Sequence, residues 1–218
     1  MGNRIGSTKR GGAVYKDVSP LKKKQTTTPT KKPTTGGQSA NPDESEITLT
    51  KEERDRLRLL WRTVIATDDA FFVDTLVVMA AKAPLVRQIF QIDSLESAPT
   101  NPAVVHLAHR VRNFFELVLD ADSAVLDNDT TLAVKFGQLG GRHVDYKIKP
   151  CYWDMLAAAS EEVLLRKTAS VSPEALRVWK KFMQQSVVIM THGYEECRRH
   201  RALDENGAAS KTHPSSDD

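Results

Sequence analysis

The sequence predicts an all-α fold. Between about residues 47 and 200, apolar side chains recur at intervals of three and four, the period of a helix that buries one face. That stretch contains no alternating strand pattern and no Asn-Gly hairpin. Capping signals also stand where the periodic runs begin, and together they mark about seven helices.

Thr50, with Glu53 three residues on, forms a capping box, and Leu57, Leu60, Trp61 and Val64 follow on one face, so the first helix spans about 50–65. Phe72, Val73, Leu76, Val77 and Ala80 make a second stripe. Pro84 opens a short third helix ending near Phe90, since proline is tolerated in a first turn. After a loop containing Ser and Pro, the residues Val104, Leu107, Ala108, Val111, Phe115 and Val118 give a long helix. Phe136, Leu139 and His143 return to one side of a shorter helix. Pro150 opens the next at its first turn, with Trp153, Met155, Leu156 and Val163. Ser172 and Pro173 are the cap and first residue of the last and longest helix, which runs through Val178, Phe182, Val187, Met190 and Tyr194.

The chain has 218 residues, so this helical unit, 47–200, leaves a tail at each end. Residues 1–46 are Gly, Thr, Pro, Ser and Lys with little to bury and are expected to be disordered, as is 201–218. Charge is divided the same way. Residues 1–34 carry nine Lys or Arg and one acid, Asp17, a net +8, while the remainder has 22 basic against 27 acidic residues, a net −5. A nucleic-acid-binding domain carries its basic surface on the folded part, so no DNA or RNA partner is expected. The apolar stretches AFFVDTLVVMAA and QQSVVIM fall short of the roughly 18 residues of a spanning helix, and the first twenty residues hold no signal-peptide core. Two cysteines, Cys151 and Cys197, are too few for a disulfide scaffold and have no zinc-ligand spacing. If the last two helices pack antiparallel, about 12 Å of helix separates the two thiols, beyond disulfide reach. An exposed Cys197 would still be able to pair between molecules.

His143 is the candidate for chemistry. It lies on an apolar helix face in LGGRHVDYKIKPCYW, one turn after Gly140 and Gly141. Glycines weaken a helix, so this pair points to something flat or bulky approaching the backbone. A core histidine bonded to a carbonyl is one reading of His143; a neutral imidazole serving as axial ligand to an iron porphyrin is the other.

These residues resemble the globin family, and within it the variable globins of nematodes and other invertebrates. Trp61, Pro84 and Phe90 match the first-helix tryptophan, the third-helix proline and the phenylalanine that stacks on haem, at family spacing, and APLVRQIF is a good match throughout. The segment LGGRHVDYKIKPCYW resembles the proximal L-G-x-x-H, followed by Val or Ile, Pro and an aromatic. The resemblance covers about 47–199 and implies a globin fold of seven to eight helices around a haem pocket, with haem as cofactor and His143 as proximal ligand. It also implies that Phe90, Leu107, Val111, Leu76 and Leu139 line that pocket.

Placing Arg110-Val111 on the family's basic-then-apolar pair puts Leu107 where many globins have a distal histidine. Helical spacing agrees, because Leu107 shares a stripe with Val104 and Val111, while His106 and His109 point to the polar side. A one-residue irregularity would instead bring His106 or His109 to the iron and give a bis-histidyl site. With Leu107 and Leu76 over the iron, dioxygen finds no hydrogen-bond donor, so carbon monoxide and nitric oxide are expected to bind well and an oxy form to oxidise readily.

The amino terminus, MGNRIGSTKR, supplies Gly2 for N-myristoylation, although Gly6 stands where Ser or Thr is usual. One acyl chain anchors only marginally and needs a partner such as a polybasic segment, which the +8 tail provides. A solvated basic linker is the alternative. The resulting expectation is a haem-binding globin at the cytosolic face of a membrane, the plasma membrane above all, or in the cytoplasm. It would bind a diatomic gas or sense redox state, contact anionic lipid through its tail, and take electrons from a separate reductase. Haem-dependent turnover of nitric oxide, nitrite or superoxide, and a haem-free adaptor role, are the competing expectations.

Overall fold

Thr50 is extended at φ −69°, ψ 164°. Its hydroxyl accepts the Glu53 N–H at 3.2 Å, and the Glu53 carboxylate accepts the Thr50 N–H at 2.8 Å, which completes the capping box. The same carboxylate holds Lys181 at 2.8 Å, so the cap also ties the first helix to the last. This first helix, α1 (Lys51–Leu60), continues as a π turn over Trp61–Ile65. The wider turn lets Leu57, Leu60, Trp61, Val64 and Ile65 all face the core.

The structure, a computed structural model, describes residues 48–146, 148–167 and 171–209, with side chains through Asp204. The remaining helices are α2 (Phe71–Lys82), α3 (Pro84–Phe90), α4 (Pro102–Leu119), α5 (Asp129–His143), α6 (Cys151–Arg166) and α7 (Pro173–Ala209), with a 3₁₀ turn at Ala98–Thr100. No strand occurs among the described residues. The fold is all-α, as the periodicity predicts.

Each start has a local cause. Pro84 is the first residue of α3, which ends where Gln91 turns left-handed at φ 51°. The Asn101 side chain accepts the Ala103 and Val104 N–H groups to cap α4. Its amide also donates to the Phe90 carbonyl at 3.2 Å, so one residue pins the end of α3 to the start of α4. Asn128 caps α5 through the Thr131 N–H, and Ser172 caps α7 through the Ala175 N–H. Pro150 stands just outside α6 rather than in its first turn, and its φ of −52° sets the direction of the helix that follows.

Two expectations lie wholly or partly outside the described residues. These are the N-terminal tail 1–46 with Gly2, and the end of the C-terminal tail, 210–218. The boundary expected at residue 200 is corrected. Helix α7 continues to Ala209, supported by an Arg198–Glu195 ion pair along the helix and by Arg201 reaching Asp145 at 2.6 Å. The segment has no proline until Pro214, and Arg, Ala, Leu and Glu favour a helix.

Helix α7 contacts α1, α5 and α6, and α2 packs between α4 and α6. At the centre, Phe71, Phe72, Phe115, Phe136, Trp179 and Phe182 form a continuous aromatic cluster with ring centroids 5.0–6.3 Å apart. The buried Trp179 indole N–H donates to Ser160 Oγ at 3.0 Å, which locks α6 to α7.

Candidate functional site

The position of α5 is set by backbone contact with α7. A Cβ on Gly140 would lie 2.0 Å from the Met190 carbonyl oxygen, and one on Gly193 would lie 2.2 Å from the Gly137 carbonyl oxygen. Only glycine lets two helices come this close. The expectation that Gly140 and Gly141 make room for something flat or bulky is therefore corrected, because what approaches Gly140 is the backbone of α7. Gly141 has ordinary contacts, with Cys197 Cβ 3.6 Å from its would-be Cβ. Cys197 is accordingly half-buried against α5 rather than exposed, and both cysteines are free thiols.

His143 occupies the last turn of α5, half-buried. Its Nδ1 lies 2.6 Å from the Leu139 carbonyl oxygen. A carbonyl only accepts, so Nδ1 carries the proton and the Nε2 lone pair is left for another partner. Burial pushes the imidazole below its ordinary value, and the Arg110 charge adds to this against the opposing pull of the Leu139 carbonyl. The neutral form is favoured, as a metal ligand requires. Among the described residues no three His, Cys, Asp or Glu side chains gather to hold a metal ion. A metal at His143 would need its other ligands from a non-protein group such as a porphyrin.

The faces of α4 and α5 that meet at Phe114 and Phe136 are apolar, and the Arg110 charge also reaches His143. Helix α4 is held by α2 and α5 by α7, and the two helices meet where Phe114 lies edge-to-face on Phe136, centroids 5.2 Å apart. On α4, Leu107 and Val111 share the face of Phe114; on α5, Leu139 and His143 share the face of Phe136. Leu107, Val111 and Leu139 are half-buried and pack against the core. Phe90 is likewise half-buried at the end of α3, brought to the start of α4 by Asn101, and Leu76 on α2 is fully buried. Half-covered apolar side chains on two facing helices, with one imidazole presenting a free nitrogen, fit a flat apolar ring carrying a metal. His106 and His109 are exposed.

Sequence reasoning placed Trp153 on its helix but missed what it touches. It is buried, with its indole edge-to-face on His143 at 5.3 Å and Tyr194 beyond it at 5.9 Å. Tyr146 also lies edge-to-face with His143, centroids 6.5 Å apart. The aromatic that closes the proximal motif, ten residues after the histidine, was the available signal.

Comparison with known proteins agrees with this architecture. A family model described as Globin matches residues 73–190, more than half of the chain. Globin-like protein 9 of Caenorhabditis briggsae is 26% identical over 165 residues, which cover 70% of this chain and 66% of that protein. The chain thus spans just under two thirds of that relative's length. The helices, the glycine-set position of α5 and the family match agree: the chain belongs to the globin family.

Proposed function

We propose that this globin binds haem at His143, takes a diatomic gas at an apolar site, and works as a gas or redox sensor rather than an oxygen store. The observation that carries the reading is the half-buried His143 ring, whose Nδ1–H donates to the Leu139 carbonyl and so leaves the Nε2 lone pair available to a metal. Iron porphyrin, when bound, supplies a coordination position for gas and a one-electron couple. The chain's own residues do the rest. His143 binds the metal and Leu139 orients its ring; Phe90 and Val111 cover porphyrin surface. In this reading α4 would present Leu107 to the bound gas, with Leu76 in the core behind it. Neither offers a hydrogen-bond donor, so the pocket favours carbon monoxide and nitric oxide over a long-lived complex with dioxygen.

The test is the optical spectrum of the haem-loaded chain in its ferric, ferrous and ferrous carbon monoxide states. A Soret band with a five-coordinate ferrous form and a lasting carbon monoxide complex is expected. Sharp six-coordinate ferrous bands would place His106 or His109 on the iron and favour electron transfer. A stable oxy complex would contradict the apolar pocket, and the absence of a Soret band would remove the haem reading altogether.

The second part of the proposal concerns place. No helix among the described residues is long and apolar enough to cross a membrane. The +8 tail behind Gly2 supports attachment from the cytosolic side, through a myristoyl chain plus attraction to anionic lipid. Replacing Gly2 by Ala is expected to release the protein from membrane fractions; unchanged partition would refute the acyl anchor.

A further inference from the structure

A cavity of about 410 Å³ lies between α1 with its π turn and the last turn of α4, and no residue of the His143 site lines it. Its size is that of a small-molecule site. One helical stripe makes the first wall, with Arg58, Leu59, Arg62 and Ala66 recurring at three and four residues and Trp61 beside them. Glu116 and Asp120, one turn apart, belong to the second wall. Hydrogen bonds frame both ends. Arg112 donates to the Ala66 carbonyl at 2.6 Å, and Arg58 reaches past α4 to donate to the Ser123 carbonyl at 3.2 Å and to Asp127 at 2.8 Å. The two walls are thereby tied to each other while the space between them stays open, so a ligand there needs little reorganisation of the protein.

The charges around this cavity fall into two groups. Arg58 is paired with Asp127, and Asp55, also in the lining, with Lys51. Arg62, Glu116 and Asp120 line the same space, yet none of the three makes an ion pair among the described residues, with each other or with any other group. The two acids stand four apart at the C-terminal end of α4, where like charges repel and the helix dipole disfavours negative charge. The last turn of α4 holds no basic residue to offset them. A cation seated between these carboxylates relieves both penalties. On the other wall Arg62 offers a guanidinium, while Leu59, 51% exposed, and Trp61 beneath it supply apolar surface.

We propose that this cavity binds a free α-amino acid with an apolar side chain. The ligand's ammonium group donates to the Glu116 and Asp120 carboxylates, its carboxylate accepts from the Arg62 guanidinium, and its side chain lies against Leu59 and Trp61. A zwitterion fits because the lining carries uncompensated charge of both signs. An anion alone would face two carboxylates, and a cation alone would leave Arg62 unpaired. Binding here uses neither His143 nor any residue near it, so the site is independent of the haem reading.

The experiment titrates the full chain by calorimetry with leucine, then with leucinamide, which lacks the carboxylate, with N-acetylleucine, which lacks the ammonium, and with glycine, which lacks the side chain. Saturable one-to-one binding of leucine is expected. Each of the other three should bind about tenfold more weakly, because each forfeits one of the contacts. Arg62→Gln should weaken leucine by a similar factor and leave leucinamide unchanged. Glu116→Gln combined with Asp120→Asn should weaken leucine and leave N-acetylleucine unchanged. A folding defect does not produce this matching of variant to analogue, and the analogues put the same question to the unaltered chain. Glu196→Gln, exposed on α7, is the control and should bind leucine normally. No saturable binding of leucine up to about 10 mM would overturn the site. So would leucinamide or glycine binding as tightly as leucine, or undiminished leucine binding in the chain without the Glu116 and Asp120 charges.

Discussion

Gly140→Ala is expected to destabilise the folded chain by about 3 kcal/mol or more, a large share of the roughly 5–15 kcal/mol that holds a domain together. The added methyl would sit 2.0 Å from the Met190 carbonyl oxygen, and the neighbouring atoms it meets are backbone, Met190 C at 2.7 Å and Met190 Cα at 2.8 Å. No rotamer change relieves this, so α5 and α7 must separate, and the contacts of Phe136 with Phe182 loosen with them. Gly141→Ala, one residue further on, is the matched control. Its methyl meets Cys197 Cβ at 3.6 Å, an ordinary contact, and a helical alanine gains about 0.5–1 kcal/mol over glycine. Urea unfolding of the two variants should move the midpoint in opposite directions. Equal midpoints would refute the backbone crossing as the element that places His143.

His143→Ala should abolish haem binding while leaving the helices folded. The substitution removes one hydrogen bond, to the Leu139 carbonyl at the end of α5, and its ring contacts with Tyr146 and Trp153. The aromatic centre around Phe115, Trp179 and Phe182 is untouched. The loss to stability is about 1 kcal/mol for the hydrogen bond, but the loss to the metal is its sole protein ligand in this reading. Added imidazole fits the vacated space and should restore the ligated spectrum in part. Circular dichroism separates this outcome from unfolding, and a haem spectrum indifferent to the substitution would remove His143 from the iron.

What was legible in the sequence was local. Thr50 with Glu53, Pro84, and Ser172 with Pro173 all fix helix starts from within a few residues, and the structure places those starts accordingly. The π turn over Trp61–Ile65 was not legible, because its benefit is the burial of Trp61, Val64 and Ile65 against distant helices. The glycines show the same limit from the other side. Their cost to a helix is written in the sequence, but their partner is Met190, fifty residues away, so the close approach was legible and its occupant was not. Periodicity put Leu107, Val111, Leu139 and His143 on inward faces for a similar reason. It does not say that an indole from the next helix lies against the imidazole, since that depends on how the connection between α5 and α6 turns.

The latch formed by Asn101 has a kinetic meaning. Helix α3 has seven residues, far fewer than a helix needs to persist alone, and only Val86 of it is buried. Its far end is tied to α4 by one side-chain hydrogen bond, from Asn101 to the Phe90 carbonyl. Phe90 and Ile92 still pack against the core when that bond breaks, so its loss loosens the end of α3 locally and leaves the Gly140–Met190 crossing in place. Opening fluctuations are thus expected first at the Phe90 end of α3 and last at the α5–α7 crossing, where backbone meets backbone, and amide exchange should be faster in α3 than in α5.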